Sequence, residues 1–441
     1  MSLPRYPEYK DSGVEWLGEV PAHWEVSQSR RMFKVRSEPA HADDQMLTAS
    51  QKYGVLPQAE FVLREGRRVV EVIQGIESLK HVEPDDFIIS MRSFQGGIEW
   101  CRLRGSTSFH YVMLTPVKWV WPAFFAHLLK SAPYIQALRR TTDLIRDGQE
   151  LRFSNFAQVP LPVVPVDEQK EIAAFLDRET AKIDALVAEQ EKLLTLLAEK
   201  RQATISRAVT KGLDPDVPMK DSGVEWLGEV PAHWEVGNLK RFAEVIDCKH
   251  HTVEFLDDGL PIVSIRELRD NRIDLSNAKL TSPIEWEFLR EGRIPQQGDL
   301  IFCRNASVGA VGYVDEEQLP FCMGQDVCLI RPQTKSRFMH FQVTCRAVTN
   351  QIEALLVGAT IRRANVEEIR NLVVTWLPTL EQEAIADFLT AETARLDALT
   401  AEATRAIALL KERRTALVSA AVTGKIDVRN TLLPLQEACH A

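Results

Sequence analysis

The chain has 441 residues, with 53 Lys and Arg against 62 Asp and Glu for a net charge of -9, and 45% of its residues are hydrophobic. That length holds two to four domains with cores of their own, and no apolar run reaches the roughly eighteen residues of a membrane span. The acidic total excludes a uniformly basic nucleic-acid binder, but its distribution leaves a DNA-binding face open: residues 27–166 carry 18 basic and 14 acidic side chains and residues 237–378 carry 17 and 19, whereas residues 212–236 hold one lysine and six acids.

Along the chain, residues 10–26, which open Lys10-Asp11-Ser12-Gly13 and close on His23-Trp24-Glu25-Val26, return letter for letter at residues 220–236. A looser repeat follows each copy: Glu168-Gln169, Ile172-Ala173, Phe175-Leu176 and Glu179-Thr180-Ala181 match Glu381-Gln382, Ile385-Ala386, Phe388-Leu389 and Glu392-Thr393-Ala394. A period this long, present only twice, denotes duplicated domains and not a solenoid. Between the repeats, apolar runs bounded by Gly and Pro predict strands at 85–92 and 111–114 in the first half and at 298–304 and 327–330 in the second. Helical stretches follow at 122–140 and 337–356, so each half reads as one α+β domain.

Two segments carry a heptad seam: residues 167–209, with Ile172, Leu176, Ile183, Leu186, Leu193 and Leu197, and a second with Ile385, Leu389, Leu396, Leu399 and Leu410. Pro165 and Pro378 precede them and Gly212 and Gly424 follow, the punctuation of helix ends. An amphipathic helix of that length, about 60 Å, cannot bury its seam alone. Pairing within one chain is favoured over homodimerisation because both partners are already tethered. The expected architecture is two globular α+β domains separated by two long antiparallel coiled-coil helices, related by a pseudo-twofold internal repeat. Its boundaries are 1–166 for the first domain, 167–211 for the first helix, 212–378 for the linker and second domain, 379–426 for the second helix and 427–441 for a tail.

The seven cysteines, Cys101, Cys248, Cys303, Cys322, Cys328, Cys345 and Cys439, include no Cys-x-x-Cys pair and read as reduced, buried thiols. The N-terminus lacks the basic and apolar regions of a signal peptide, and the expected location is cytoplasmic. Phosphate loops, dinucleotide fingerprints, His-Glu-x-x-His and nucleophile elbows are missing, as is the Asn-Pro-Pro-aromatic signature of amino-methyltransferases, so no catalytic residue is expected. Cys248, His250 and His251 cluster locally without a second cysteine pair, and no metal is expected. Glu168 in Asp167-Glu168-Gln169-Lys170 is read as a helix N-terminal charge, since Glu381-Gln382-Glu383 lacks the lysine of a nuclease motif. The repeated Trp16, Trp24, Trp226 and Trp234 are expected to pack each motif onto its own domain. Candidate DNA contacts are the arginines near turns: Arg67, Arg68, Arg92, Arg102, Arg104, Arg139, Arg140, Arg266, Arg269, Arg304, Arg362 and Arg363. Guanidinium groups suit both phosphate oxygens and the guanine edge.

The repeated Asp-Ser-Gly-Val-Glu-Trp-Leu-Gly-Glu-Val-Pro-x-His-Trp of residues 11–24 and 221–234 resembles the opening of the target recognition domains in specificity subunits of type I restriction-modification systems. The Leu-Pro then Glu-Gln-x-x-Ile-Ala-x-Phe-Leu of residues 161–176, carried with a shorter spacing by residues 377–389, is similar to theirs too. The turn and strand at 298–304 is common in their second domains, and the first copy departs from it with Asp85 in place of glycine. The resemblance covers essentially the whole chain. It implies a non-catalytic, sequence-specific DNA-binding subunit that reads a bipartite target, one half-site per recognition domain, across a spacer set by the paired helices. Its implied partners are double-stranded DNA, two methyltransferase subunits and restriction-translocase subunits, with no membrane. S-adenosylmethionine, ATP and Mg2+ serve those partners, and this chain takes no cofactor. The rival readings are a nuclease or methyltransferase with an unrecognised active site, which would act on DNA alone, and a coiled-coil scaffold, which would not retain DNA.

Overall fold

A computed structural model describes residues 3–66, 79–90, 93–141, 151–269, 271–334, 337–356 and 363–429. The chain divides into two compact units, Met1–Gln190 with Arg405–Ala441, and Glu191–Thr404. The fold is α+β, and two long helices, Val166–Lys211 of 46 residues and Thr379–Val422 of 44, each begin in one unit and end in the other. The units therefore share the helices, where the sequence had suggested separate segments.

The first unit is built on a four-stranded antiparallel sheet in the order Phe33–Arg36, Val112–Pro116, Phe87–Ile89, Glu99–Trp100. Phe87, Ile88 and Ile89 are all fully buried, which is why that strand reads as a continuous apolar run and not as an alternation. Phe33 lies edge-on to Phe87, Phe125 and Phe156, with ring centroids 5.5 Å apart in each case. The second unit repeats the order with Ala243–Asp247, Val327–Pro332, Leu300–Cys303 and Val311–Tyr313, and adds a three-stranded sheet of Lys279–Thr281, Leu260–Val263 and Cys322–Met323. The predicted strands thus lie at the centre of each sheet. The predicted helix at 122–140 is two helices, Pro122–Leu128 and Ala132–Arg140, because Pro133 is tolerated in a first turn but not in an interior. Its counterpart divides at Cys345, whose backbone is extended, into Phe338–Thr344 and Arg346–Leu356.

Asp85, the departure from glycine, has a φ of 73°, the left-handed conformation that Gly298 takes with 93°. Its carboxylate accepts the indole N–H of Trp100 at 3.0 Å. The next residue in each copy, buried Asp86 or Asp299, takes both arms of an arginine: Arg36 at 2.6 and 3.2 Å, and Arg331 at 3.0 and 2.8 Å. A bidentate pair of this kind pins the strand ends in both units.

Within the first unit the two helix segments run antiparallel. Ile172, Ala173 and Leu176 share a core with Val418, Ala421 and Val422, and Asp184 meets Arg414 at 2.8 Å. In the second unit Ile205, Ala208 and Val209 share a core with Ile385, Ala386 and Leu389, and Arg201 meets Asp397. The seam is heptad in spacing but not in the expected phase. Ile172, Leu176, Ile183, Leu197, Ile385, Leu389 and Leu396 are buried and Leu410 is half-buried, whereas Leu186, Leu193 and Leu399 are exposed. Thr180, Val187 and Ala403 are buried in the seam, with Gln190 and Leu194 half-buried, so the repeat alternates four and three through 183, 187, 190, 194 and 197.

No helix among the described residues is long and apolar enough to cross a membrane. Cys101, Cys248, Cys303, Cys322, Cys328 and Cys345 are free and buried. Burial pushes the Cys101 and Cys248 thiols up to about 11 and that of Cys322 to about 12, which keeps them protonated and unreactive. The distal residues to Arg429 are folded onto the first unit: Val428 is buried, the Asp427 N–H donates to the Pro4 carbonyl at 2.8 Å, and the Arg429 guanidinium lies 4.7 Å from the Tyr6 ring centre.

Candidate nucleic-acid interface

Each repeated motif is clamped onto its unit by the Glu of the Glu-Gln pair that opens a long helix, while the Gln ties the helix start to other parts of the same unit. In the first unit Glu168 accepts the Trp24 indole N–H at 3.0 Å and the Tyr6 hydroxyl at 2.6 Å, and its other oxygen lies 2.7 Å from His23 Nε2. In the second unit Glu381 accepts Trp234 at 3.0 Å and faces His233 Nε2 at 2.7 Å. Trp24 and Trp234 are fully buried, as expected, so their N–H groups need these acceptors. Gln169 accepts the backbone N–H of Trp121 and donates to the carbonyls of Trp119 and Val164; Gln382 donates to the Leu377 carbonyl and accepts the Thr334 hydroxyl. The far end of the other long helix completes each clamp. Gly424, left-handed at φ 71°, leaves room for Pro21 and Trp24, and Gly212, at 74°, packs against Trp234. Lys425 and Lys211 donate to the carbonyls of Glu19 and Glu229.

Identical motifs do not behave identically throughout. Trp16 donates to the Pro160 carbonyl at 3.1 Å and packs edge-on against Tyr134, whereas Trp226 is 40% exposed. The sequence signal for the clamp was present, because the His-Trp and Glu-Gln pairs recur together in both halves.

The arginines separate into groups. Arg67, Arg68, Arg92 and Arg362 lie outside the described residues. Arg102 is exposed with its guanidinium 4.2 Å above the Trp100 ring. It lines a cavity of about 250 Å³ with His127, Lys130, Asp177 and Arg414. Arg139 is exposed near the Gln95 carbonyl, and Arg266 and Arg269 are exposed around a pocket they share with Asp274 and Asn277. Arg363 is exposed and its backbone bridges to Asn305. Arg140 pairs with Glu15 at 2.5 Å, and Arg104 leans on Asp43, Asp44 and Glu83, so both are exposed cations already engaged with acids.

Arg304 requires correction. It ends the strand Leu300–Cys303 but is only 2% exposed, with its guanidinium 3.2 Å from Asp247 and 3.7 Å from the Cys248 sulfur. It is a core cation, not a surface contact. Arg304→Ala should therefore lower the stability of the second unit by about 1–3 kcal/mol through lost packing and hydrogen bonds, read as a lower urea midpoint. Unchanged stability with weakened DNA binding would reverse that assignment.

Sequence reasoning missed cations on the long helices. Arg414 with Asp184 and Arg201 with Asp397 stand at matching positions of the two helices, and in the second unit Arg201, Arg272 and Arg337 line a cavity of about 350 Å³ with Tyr313 and His340. Burial, assisted by Arg337, lowers the His340 pKa to about 4, so the ring is neutral. The matched Arg and Asp spacing in the two helices was the available signal.

A family model described as the type I restriction modification DNA specificity domain matches residues 231–408. The putative type I restriction enzyme MjaX specificity subunit of Methanocaldococcus jannaschii is 21% identical over 440 residues, covering 94% of this chain and 96% of that protein. Residues 231–408 thus match a type I restriction-modification specificity domain, and the chain is similar to specificity subunits along most of its length. The EcoBI specificity subunit of Escherichia coli is 22% identical over 315 residues, and the MjaVIII subunit of M. jannaschii 21% over 284; these matches span 65% and 64% of the two relatives, just under two thirds. A chain from a type I restriction-modification complex superposes with a TM-score of 0.67 at 14% identity, over 91% of this chain and 98% of that one. The specificity subunit of Thermoanaerobacter tengcongensis gives 0.51 at 14% identity. The family model falls on the second half of this chain; the identical motif and the same strand order extend the likeness to the first.

Proposed function

We propose that this chain is a specificity subunit of a type I restriction-modification system, reading a bipartite DNA sequence, one half-site per unit, and positioning methyltransferase subunits that modify adenine. The observation that supports this most is a duplicated frame holding different contents. The motif, the Glu-Gln clamp and the sheet order recur in both units, while the sequences between residues 27–160 and 237–378 diverge. Common framing suits common partners, and divergent inserts suit different half-sites. The exposed arginines Arg102, Arg139, Arg266, Arg269 and Arg363 supply cations of the kind that contact phosphates and guanines. Catalysis belongs to the partners in this reading: two methyltransferase subunits use S-adenosylmethionine on a base swung out of the duplex, and restriction-translocase subunits use ATP and Mg2+. The working compartment is the cytoplasm.

Exchanging residues 27–160 for the matching region of a related specificity subunit, in cells that also express the methyltransferase, should change one half of the methylated sequence and leave the other intact. Mapping methylated sites reads the result directly. A change in both halves, or methylation or cutting by the purified chain alone, would overturn the reading.

A further inference from the structure

In the first unit the loop at residues 37–46 folds over the strand Lys80–Val82 and brings two histidines face to face. The rings of His41 and His81 stack with centroids 4.0 Å apart and planes 18° from parallel. His41 is exposed and His81 is buried. Carboxylates surround their edges: Glu38 lies 2.9 Å from His41 Nε2, Asp44 lies 2.7 Å from His81 Nδ1, and Glu83 lies 2.8 Å from His81 Nε2. The exposed Asp43 adds a fourth acid.

The cations present do not balance this group. Arg104 lies 3.2 Å from His41 Nδ1, reaches Asp43 at 3.3 Å and stands 3.7 Å from Asp44 Oδ1 and 3.9 Å from Glu83, while Arg36 gives two of its nitrogens to Asp86 and the third to Glu38 at 3.3 Å. Asp44, with only 1% of its side chain exposed, leaves Oδ1 without a hydrogen-bond donor. A buried carboxylate oxygen with no donor is costly, and Arg104 Nε, 3.7 Å away, meets it as an ion pair without a hydrogen bond.

We propose that Glu38, His41 and His81 bind one divalent transition-metal ion of the zinc class, with Asp44 or water in the fourth position. The three residues each present a ligand atom, and these atoms lie within 4.8 Å of one another. Tetrahedral zinc at ~2.1 Å from its ligands holds them about 3.4 Å apart. Because stacked imidazoles point their in-plane lone pairs side by side, closing the site also asks His41 to turn off the His81 ring and release its bond to Arg104, a movement taken up by the surface loop that carries Glu38 and His41. Whichever His81 nitrogen ligates the ion, the other keeps a carboxylate partner, Glu83 or Asp44, the arrangement that orients a ligating imidazole. Two imidazoles favour zinc, cobalt or nickel over magnesium or calcium, which prefer oxygen. The ion would fasten the loop to the strand and relieve Arg104 of its acidic neighbours. The site does not depend on the proposed DNA reading.

The test uses the full-length chain, stripped with a chelator and titrated with zinc by calorimetry and elemental analysis, with thermal unfolding alongside. One zinc per chain and a raised melting temperature are expected, with magnesium giving neither. His41→Ala, on an exposed loop position that leaves folding intact, should weaken zinc binding by at least ~10-fold, and Glu38→Gln should also weaken it. His250→Ala, in the Asp247, Cys248 and His250 group of the second unit, should leave it unchanged. Absence of binding, equal stabilisation by magnesium, or full stoichiometry in His41→Ala would overturn the proposal.

Discussion

Glu168→Ala should be among the most damaging single substitutions in the first unit, at about 3–5 kcal/mol, while Glu381→Ala in the second should cost about 1–3 kcal/mol. The two carboxylates hold identical motifs, yet their settings differ. The Glu168 side chain is 6% exposed and serves Tyr6, His23 and Trp24, so its removal strands a buried hydroxyl and a buried indole N–H. The Glu381 side chain is 31% exposed and serves only His233 and Trp234 among the hydrogen bonds of the described residues, so water can replace part of what it supplies. Urea titration of the two variants under one set of conditions gives the comparison. Equal losses, or a larger loss for Glu381→Ala, would mean that the Tyr6 bond and the deeper burial contribute nothing.

On the bipartite reading proposed above, inserting four residues near Leu197 should lengthen the spacer of the recognised sequence by one or two base pairs and leave both half-sites unchanged. The insertion adds about one turn, ~6 Å, to the helix Val166–Lys211, which runs out of one unit and into the other. Duplex DNA advances about 3.4 Å per base pair. A four-residue stutter is a tolerated break in a heptad repeat, so methylation should persist at reduced rate. Methylated sites mapped for parent and variant side by side decide the matter. A parental spacer with full activity would show that something other than these helices sets the distance.

Much of the fold was legible in the sequence because its strongest signals are local or repeated. Strands such as Phe87–Ile89 and Leu300–Cys303 are short apolar runs after turns, and helices as long as Val166–Lys211 declare themselves by composition and punctuation. The phase of the seam was harder to read. Leucine at 186 and 193 invites assignment to the core, yet burial falls on Thr180 and Val187, with the polar Gln190 half-buried beside them, because the narrow seam favours side chains that fit the facing helix over those that are most apolar. Arg304 was misplaced for a similar reason. An arginine at a strand end looks available for DNA, and only the approach of Asp247, far away in the chain, shows that it is held inside. Glu168 was seen as a charge at a helix start, which it is, but its indole, phenol and imidazole partners come from elements that sequence spacing alone does not bring together.

The composition of the first unit sets an order of events during synthesis. The second unit uses one continuous stretch, Glu191–Thr404, and its contacts are complete once that stretch has left the ribosome. The first cannot close so early. Its core waits for Val418, Ala421 and Val422, and its opening segment waits for the Lys425 bond to Glu19, the Asp427 bond to Pro4 and the Arg429 contact with Tyr6. Residues made first are thus among the last to be secured, and until then Trp24 lacks part of its cover. A nascent chain from which Thr404 has just emerged would carry a finished second unit beside a protease-sensitive first one, leaving a chaperone to shield the earlier half while the later half is already in its native shape.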